Sequence, residues 1–327
     1  MKPRDSALAV VVALIWGANF VAIKIGLESV PPLLFLALRF VAVCLPAVFL
    51  VRRPDLPWRD LALIGLFVSL GQFALLYLAL HLGMPPGLSS LVLQAQVLLT
   101  VVIGAVWLRE RPTRVQLAGV GVGAAGLVTI AVARGLTSPL LPLLVLVLAA
   151  LSWAIGNVLT RRAGAGGAAG RAGGGFRAGL GLTVWSGVVV PVPAFALSWV
   201  VEGPDAIATA LSHLPWAAIL STAFTAYLSS LVGYGIWNTL LARYAVAKVA
   251  PFAMLVPVFG MTAAAVLLGE RPSLAEWVGG AVLLAGVAAA VLWRPRSGRE
   301  VTVEVEPATG PPLETAALVQ RPGHATP

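Results

Sequence analysis

Charge is scarce in this chain of 327 residues: Asp, Glu, Lys and Arg together make up 11% of it. An average soluble domain carries roughly 25%, so a water-exposed globule of this size is excluded. Cysteine is nearly absent too. Cys44 is the only one, which rules out an intrachain disulfide and leaves it as packing filler inside an apolar run. There are three lysines, Lys2, Lys24 and Lys248, and no Gly-x-x-x-x-Gly-Lys-Ser/Thr loop, which excludes ATP-driven work by this chain alone. His81, His213 and His324 lie in loops or the tail, so no buried metal cluster or acid–base dyad is expected, and no cofactor. All 13 carboxylates fall at run ends, in loops or in the tail. A carrier of lipophilic cations, or one with a proton-carrying acid buried in the membrane, would be expected to place one deeper.

Apolar residues fill the space instead, at 59%. They form ten runs, 6–27, 31–51, 59–80, 85–108, 114–133, 139–160, 178–200, 214–241, 246–268 and 274–293. Most approach the ~20 residues a helix needs to cross a ~30 Å hydrocarbon core. The expected class is an all-α polytopic membrane protein whose partners are the lipid bilayer and a small-molecule substrate. The first run is too long for a signal-peptide core and lacks a small-residue cleavage site, so it reads as an uncleaved helix. The net charge of +9 reports topology, since 18 of the 22 Lys and Arg fall on one side if the amino terminus is cytoplasmic. Only Arg134 and Arg271 fall in the opposite loops, and Lys24 and Arg39 lie within runs. This bias puts both termini in the cytoplasm and argues against nucleic-acid binding.

The chain also repeats itself. Leu108-Arg109-Glu110-Arg111-Pro112-Thr113 returns 160 residues later as Leu268-Gly269-Glu270-Arg271-Pro272-Ser273, and at the same offset Gly119 and Gly126 match Gly279 and Gly286. Two halves of five helices each, an odd number, must be inserted in opposite senses. The expected fold is therefore ten transmembrane helices in two inverted-topology five-helix repeats, an architecture secondary transporters place around a central site. The expected divisions are a 1–5 amino-terminal segment, a first repeat at 6–133 and an outside linker at 134–138. The second repeat is 139–293, with a Gly-rich cytoplasmic loop at 161–177, followed by a disordered cytoplasmic tail at 294–327. Pro followed by Thr or Ser in each repeated turn fits a helix start.

Polar and aromatic residues inside the runs are the candidates for substrate binding. Arg39, about seven residues into the second run, must face a cavity, carbonyls or an anionic substrate group. Lys24 can snorkel to the interface. Trp16 and Asn19 share a helix face, and Trp153 and Asn157 repeat that pairing in the sixth run. Tyr227, Ser230, Tyr234 and Asn238, flanked by Trp237, form a stripe at helical spacing. Gln72 is mid-run. Gln94 and Gln96 lie ~200° apart on an unbroken helix, so only one can face a central cavity unless the helix is broken there. Pro251, Pro257 and Pro85-Pro86-Gly87 interrupt or open runs in related positions of the two halves.

Trp16-Gly17-Ala18-Asn19-Phe20, Leu38-Arg39-Phe40 and the two Glu-Arg-Pro turns resemble the EamA-type branch of the drug/metabolite transporter superfamily, over residues 6–293. Gly83-Met84-Pro85-Pro86-Gly87-Leu88, Leu91-Val92-Leu93-Gln94-Ala95-Gln96 and Val232-Gly233-Tyr234-Gly235-Ile236-Trp237 are similar to the members that export cysteine and O-acetylserine. The resemblance implies ten helices, cytoplasmic termini, a bacterial inner-membrane location and a central cavity exporting amino-acid-type metabolites. The Gly-rich loop and long tail depart from it, and Asn238 stands where a small residue is expected. Export of drugs or sugar-linked metabolites on the same fold is the alternative. A membrane-embedded enzyme would need an activated nucleophile, and no His or carboxylate is placed to make one.

Overall fold

The computed structural model describes residues 1–135, 139–163, 176–244 and 246–292, and no strand occurs among them. The tail and all but the edges of the Gly-rich loop lie outside the described residues. The helices are α1 (Pro3–Gly26), α2 (Pro32–Ala47), α3 (Trp58–His81), α4 (Pro86–Trp107), α5 (Arg114–Gly135) and α6 (Leu141–Arg162). They continue as α7 (Phe176–Gly187), α8 (Pro191–Val201), α9 (Pro204–Ser212), α10 (Trp216–Ala223 through Tyr234–Arg243), α11 (Val246–Ala253 and Leu255–Leu268) and α12 (Leu274–Leu292).

Eight helices among the described residues are long and apolar enough to span a membrane, or nine if α7 and α8 make one span. Two of the ten sequence runs depart from that standard. Run 31–51 yields only the 16 residues of α2 before turns take over at Val48, about 24 Å of helix at 1.5 Å per residue. Run 178–200 is bent by 41° between α7 and α8. Pro191 accounts for the bend, since it has no N–H to continue the ladder and its ring crowds the carbonyl of Gly187. The sequence reading also missed α9, which buries Ile207 and Ala210 and leaves its other face exposed.

Two spans carry breaks. In α4 the segments Pro86–Val92 and Ala95–Trp107 are joined by tight turns in which the backbone N–H groups of Gln94 and Gln96 donate to the carbonyls of Leu91 and Leu93. In α11 the break falls at Met254. Pro257 cannot donate to the carbonyl of Ala253 four residues back, so that oxygen is left free. Gln94 Nε2 takes it up at 3.4 Å, so a side chain at the break of α4 satisfies the carbonyl freed at the break of α11. Two further irregularities are π-helical stretches, Gly65–Gly71 in α3 and Phe224–Gly233 in α10. They stand at nearly the 160-residue offset of the repeated turns.

The α5–α12 contact binds the two ends of the sequence together. A Cβ on Gly119 would stand 2.7 Å from Gly286 O, and one on Gly126 would stand 2.6 Å from Gly279 O. Only glycine lets these backbones approach so closely. Because Gly119 meets Gly286 while Gly126 meets Gly279, the two helices run antiparallel, and each pair joins one motif position to the other's counterpart. The turns before α5 and α12 therefore lie at opposite ends of the bundle, here the Glu110 end and the Glu270 end.

Candidate functional site

Arg39 lies at the centre of the most unusual arrangement. Its side chain is 1% exposed. Nη1 donates to Tyr77 Oη at 2.9 Å and Nη2 to Ser230 Oγ at 3.0 Å, while Nε has no partner. The guanidinium carbon lies 4.0 Å from the centroid of Phe73 and 5.7 Å from that of Phe40. Phe73 and Tyr77 are four apart on α3 and share a face, so one helix supplies both a ring and a hydroxyl. Phe35, one turn before Arg39, stacks on Tyr77 at 5.2 Å. Ser230 belongs to the π-helical stretch of α10, where its hydroxyl donates to the carbonyl of Thr225. That commits its proton and leaves a lone pair for Arg39. Among the described residues no carboxylate pairs with Arg39. The charge is held by neutral hydroxyls and ring faces.

Beside this group, Trp16 of α1 donates from Nε1 to the carbonyl of Ser229 at 3.1 Å. Its ring packs 5.0 Å from Tyr234 and 5.2 Å from Trp237. Thus Trp16, Tyr234 and Trp237 are brought together, and the backbone links them to the residue next to Ser230. Asn19 and Gln72 are buried, with Asn19 Oδ1 and Gln72 Oε1 unpaired. Asn238 is half-buried on α10.

The other predicted residues form separate groups. Gln94 faces the break in α11, whereas Gln96 Oε1 accepts from Asn157 Nδ2 at 2.8 Å, and Asn157 also reaches Thr100 Oγ1 at 3.4 Å. The broken helix thus lets both glutamines make interhelical bonds in different directions. Trp153 packs on the apolar core and is not part of the aromatic group around Trp16. The stripe on α10 also differs from the expected one. Its π-helical turns rotate Tyr227 outward, where it is exposed, while Ser230 stays buried. Sequence reasoning missed Tyr77 and Phe73. Their spacing of four, which puts a ring and a hydroxyl on one helix face, was the available signal, and it does not say which run that face meets.

The acids sit at the ends. At the Glu270 end, Glu270 Oε2 accepts from the Gly87 N–H at 3.1 Å, Glu202 accepts from the Leu33 and Leu34 N–H groups, and Glu276 pairs with Arg134 at 3.4 Å. Lys24 Nζ reaches the carbonyl of Leu80 at 3.4 Å, so it ties α1 to α3. Partial burial pushes the Glu270 carboxyl up, and the Gly87 N–H, Lys24 and Arg134 work against that push while Glu276 adds to it. At the Glu110 end, Glu110 pairs with Arg161 at 3.1 Å, and both side chains are nearly half exposed.

Two stretches, residues 6–132 and 140–292, match the EamA-like transporter family. The chain belongs to that family. Its relatives include proteins called probable amino-acid metabolite efflux pump in Salmonella typhimurium and Escherichia coli, 39% and 37% identical over 88% of this chain and 94% of each relative. Another, a probable terminal-alkyne amino-acid exporter of Streptantibioticus cattleyicolor, is 33% identical over 88% of this chain and 93% of its own. A solved crystal structure shares the fold with a TM-score of 0.55 at 22% identity, covering 89% of this chain and 99% of that one. As a member of this family the chain is a multi-pass membrane transporter of small metabolites.

Proposed function

We propose that this protein exports small zwitterionic metabolites, amino acids and close derivatives first, across the bacterial inner membrane by alternating access. The observation that carries the reading is Arg39. A buried guanidinium with no acid partner among the described residues is a standing demand for an anionic group, and a substrate carboxylate supplies one. The unpaired oxygens of Asn19 and Gln72 are acceptors suited to an ammonium group. Trp16, Tyr234 and Trp237 would border the cargo, with Asn238 adjusting preference. Gln94, Gln96, Asn157 and Trp153 would set how the broken helices and α6 move around it. The names of the relatives support amino-acid cargo.

The reading includes the architecture of ten spans in two inverted five-helix repeats, 6–133 and 139–293, with α2 and the bent α7–α8 pair as the short spans. Three observations support it: the antiparallel run of α5 and α12, the nearly equivalent π-helical stretches of α3 and α10, and two separate family matches. The distribution of basic residues supports cytoplasmic termini.

Proteoliposomes preloaded with labelled cysteine, O-acetylserine and other amino acids test the cargo. Efflux above empty vesicles, abolished by Arg39→Ala in correctly inserted protein, is the expected result. Efflux untouched by Arg39→Ala would overturn the carboxylate role. No amino-acid efflux from folded protein would move the cargo to drugs or sugar-linked metabolites.

A further inference from the structure

We propose that, when no cargo is bound, the Arg39 site takes up a small monovalent inorganic anion, chloride in a cell, at the unpartnered Nε–H of the guanidinium. This deepens the reading of Arg39 as a carboxylate site and rests on the same residue, but it does not require that the protein transport anything.

A guanidinium, unlike a lysine ammonium, does not relieve its burial by becoming neutral. At 1% exposure it has lost its water shell. A buried charge without an opposite charge is costly, because hydroxyls and rings compensate it only in part. The partners present are Tyr77 Oη, Ser230 Oγ and the faces of Phe73 and Phe40. All are neutral. Neither α2 nor α3 beyond its first turn contains an acid, and the acids Glu202, Glu270, Glu276, Glu110 and Asp5 serve helix ends or arginines of their own.

The hydrogen bonds point the same way. Nε is buried, carries a hydrogen and has no acceptor. Tyr77 accepts from Arg39, and among the described residues its own hydroxyl proton has no acceptor. Ser230 Oγ already donates its hydrogen bond to the carbonyl of Thr225. The immediate surroundings of the guanidinium therefore offer unfilled donors beside a fixed positive charge. A water molecule would fill one donor and leave the charge. A monovalent anion answers both. The π-helical stretch of α10 that holds Ser230 is the kind of irregularity found at binding sites.

The consequence is competition. The cargo's carboxylate and the inorganic anion would use the same Nε–H, so loading displaces the anion and release readmits it.

The test is equilibrium dialysis of purified, cargo-free full-length protein against radiolabelled chloride in otherwise chloride-free buffer. About one bound chloride per chain is expected in the wild type, and loss of it in Arg39→Gln. Arg39→Lys, which keeps the charge but lacks the Nε–H, should bind about tenfold more weakly. No chloride on wild-type protein would overturn the proposal, as would equal binding by wild type and either folded variant. Adding cysteine separates the two readings of Arg39. Displacement of chloride supports both. Chloride that stays bound beside bound cysteine would overturn the competition while leaving a chloride site, and would move the carboxylate elsewhere.

Discussion

The turns at 108–113 and 268–273 share a backbone but use their carboxylates differently. In each, the glutamate N–H closes back on a carbonyl six residues earlier, Glu110 to Gly104 and Glu270 to Ala264, both at 3.3 Å. In each, the next helix opens with a reciprocal cap, Thr113 with Gln116 and Ser273 with Glu276. The residue before each glutamate is left-handed, Arg109 at φ 53° and Gly269 at φ 69°. Yet Glu110 reaches a half-exposed Arg161, while Glu270 turns inward to the first turn of α4. The shared part of the repeat builds a helix–turn–helix corner, and the glutamate side chain is left to specialise at each end.

The largest effect is expected in α5 and α12, the two helices that these corners introduce. A leucine at Gly126 would place its Cβ 2.4 Å from Leu283 N and 2.6 Å from Gly279 O, and neither backbone atom can yield. Gly126→Leu should cost about 3 kcal/mol or more and abolish folded protein, whereas Gly121→Leu on the same helix, with nothing near its Cβ, should be tolerated. Size-exclusion chromatography of detergent extracts distinguishes them. Equal yields would show that the α5–α12 seam does not hold the halves together.

The two glutamates should give the next largest difference. Glu270→Ala leaves the Gly87 N–H unpaired in a half-buried place and should cost about 1–3 kcal/mol. Glu110→Ala removes one exposed ion pair and should cost less than about 1 kcal/mol. Thermal unfolding in one detergent gives both values, and equal losses would erase the distinction between the inward and the outward glutamate.

Acid response sharpens the same contrast. Burial raises the Glu270 carboxyl above the ordinary carboxylate range in the folded protein. The folded state therefore holds that proton more tightly than the unfolded one. Its contribution is full below the ordinary carboxyl pKa and lost as pH rises through the raised one. Wild type should accordingly lose stability relative to Glu270→Gln across that window, and a flat difference would contradict the assignment. Lys24, Arg134 and Glu276 are the neighbouring charges that set the size of the effect.

Such contrasts mark where sequence reading stops. Hydropathy supplied most of the spans because each must bury or lipid-solvate a full turn pattern, and the 160-residue echo located two corners that the structure builds alike. Arg39 was legible because charge inside an apolar run is rare. Its partners were not: Tyr77 and Phe73 sit on a different helix, and nothing in their own run marks which face meets α2. The outward turn of Tyr227 was hidden because a π-helical register leaves no clear trace in an apolar sequence. Glu270 looked like any loop acid. Only the packing of α4 against α11 shows that the turn's side chain points inward.

The smallest effect is expected at the left-handed position itself. Holding a residue with a Cβ at φ 53° costs about 1–2 kcal/mol, and Arg109 bears that strain where its counterpart is glycine. Replacing it with glycine removes the strain but returns about 0.5–1 kcal/mol of backbone freedom to the unfolded chain. Arg109→Gly should therefore stabilise by up to about 1 kcal/mol, and Gly269→Arg should destabilise by a similar amount. Arg109 is also one of 18 basic residues on its side by the sequence reading, so losing it should leave the orientation of the chain unchanged. Thermal midpoints of the two variants, with a topology reporter fused to the carboxyl terminus, check both expectations. A destabilised Arg109→Gly would mean that the arginine side chain contributes more at that corner than its backbone costs, and the two turns would then differ in purpose at this position as well as at the glutamate.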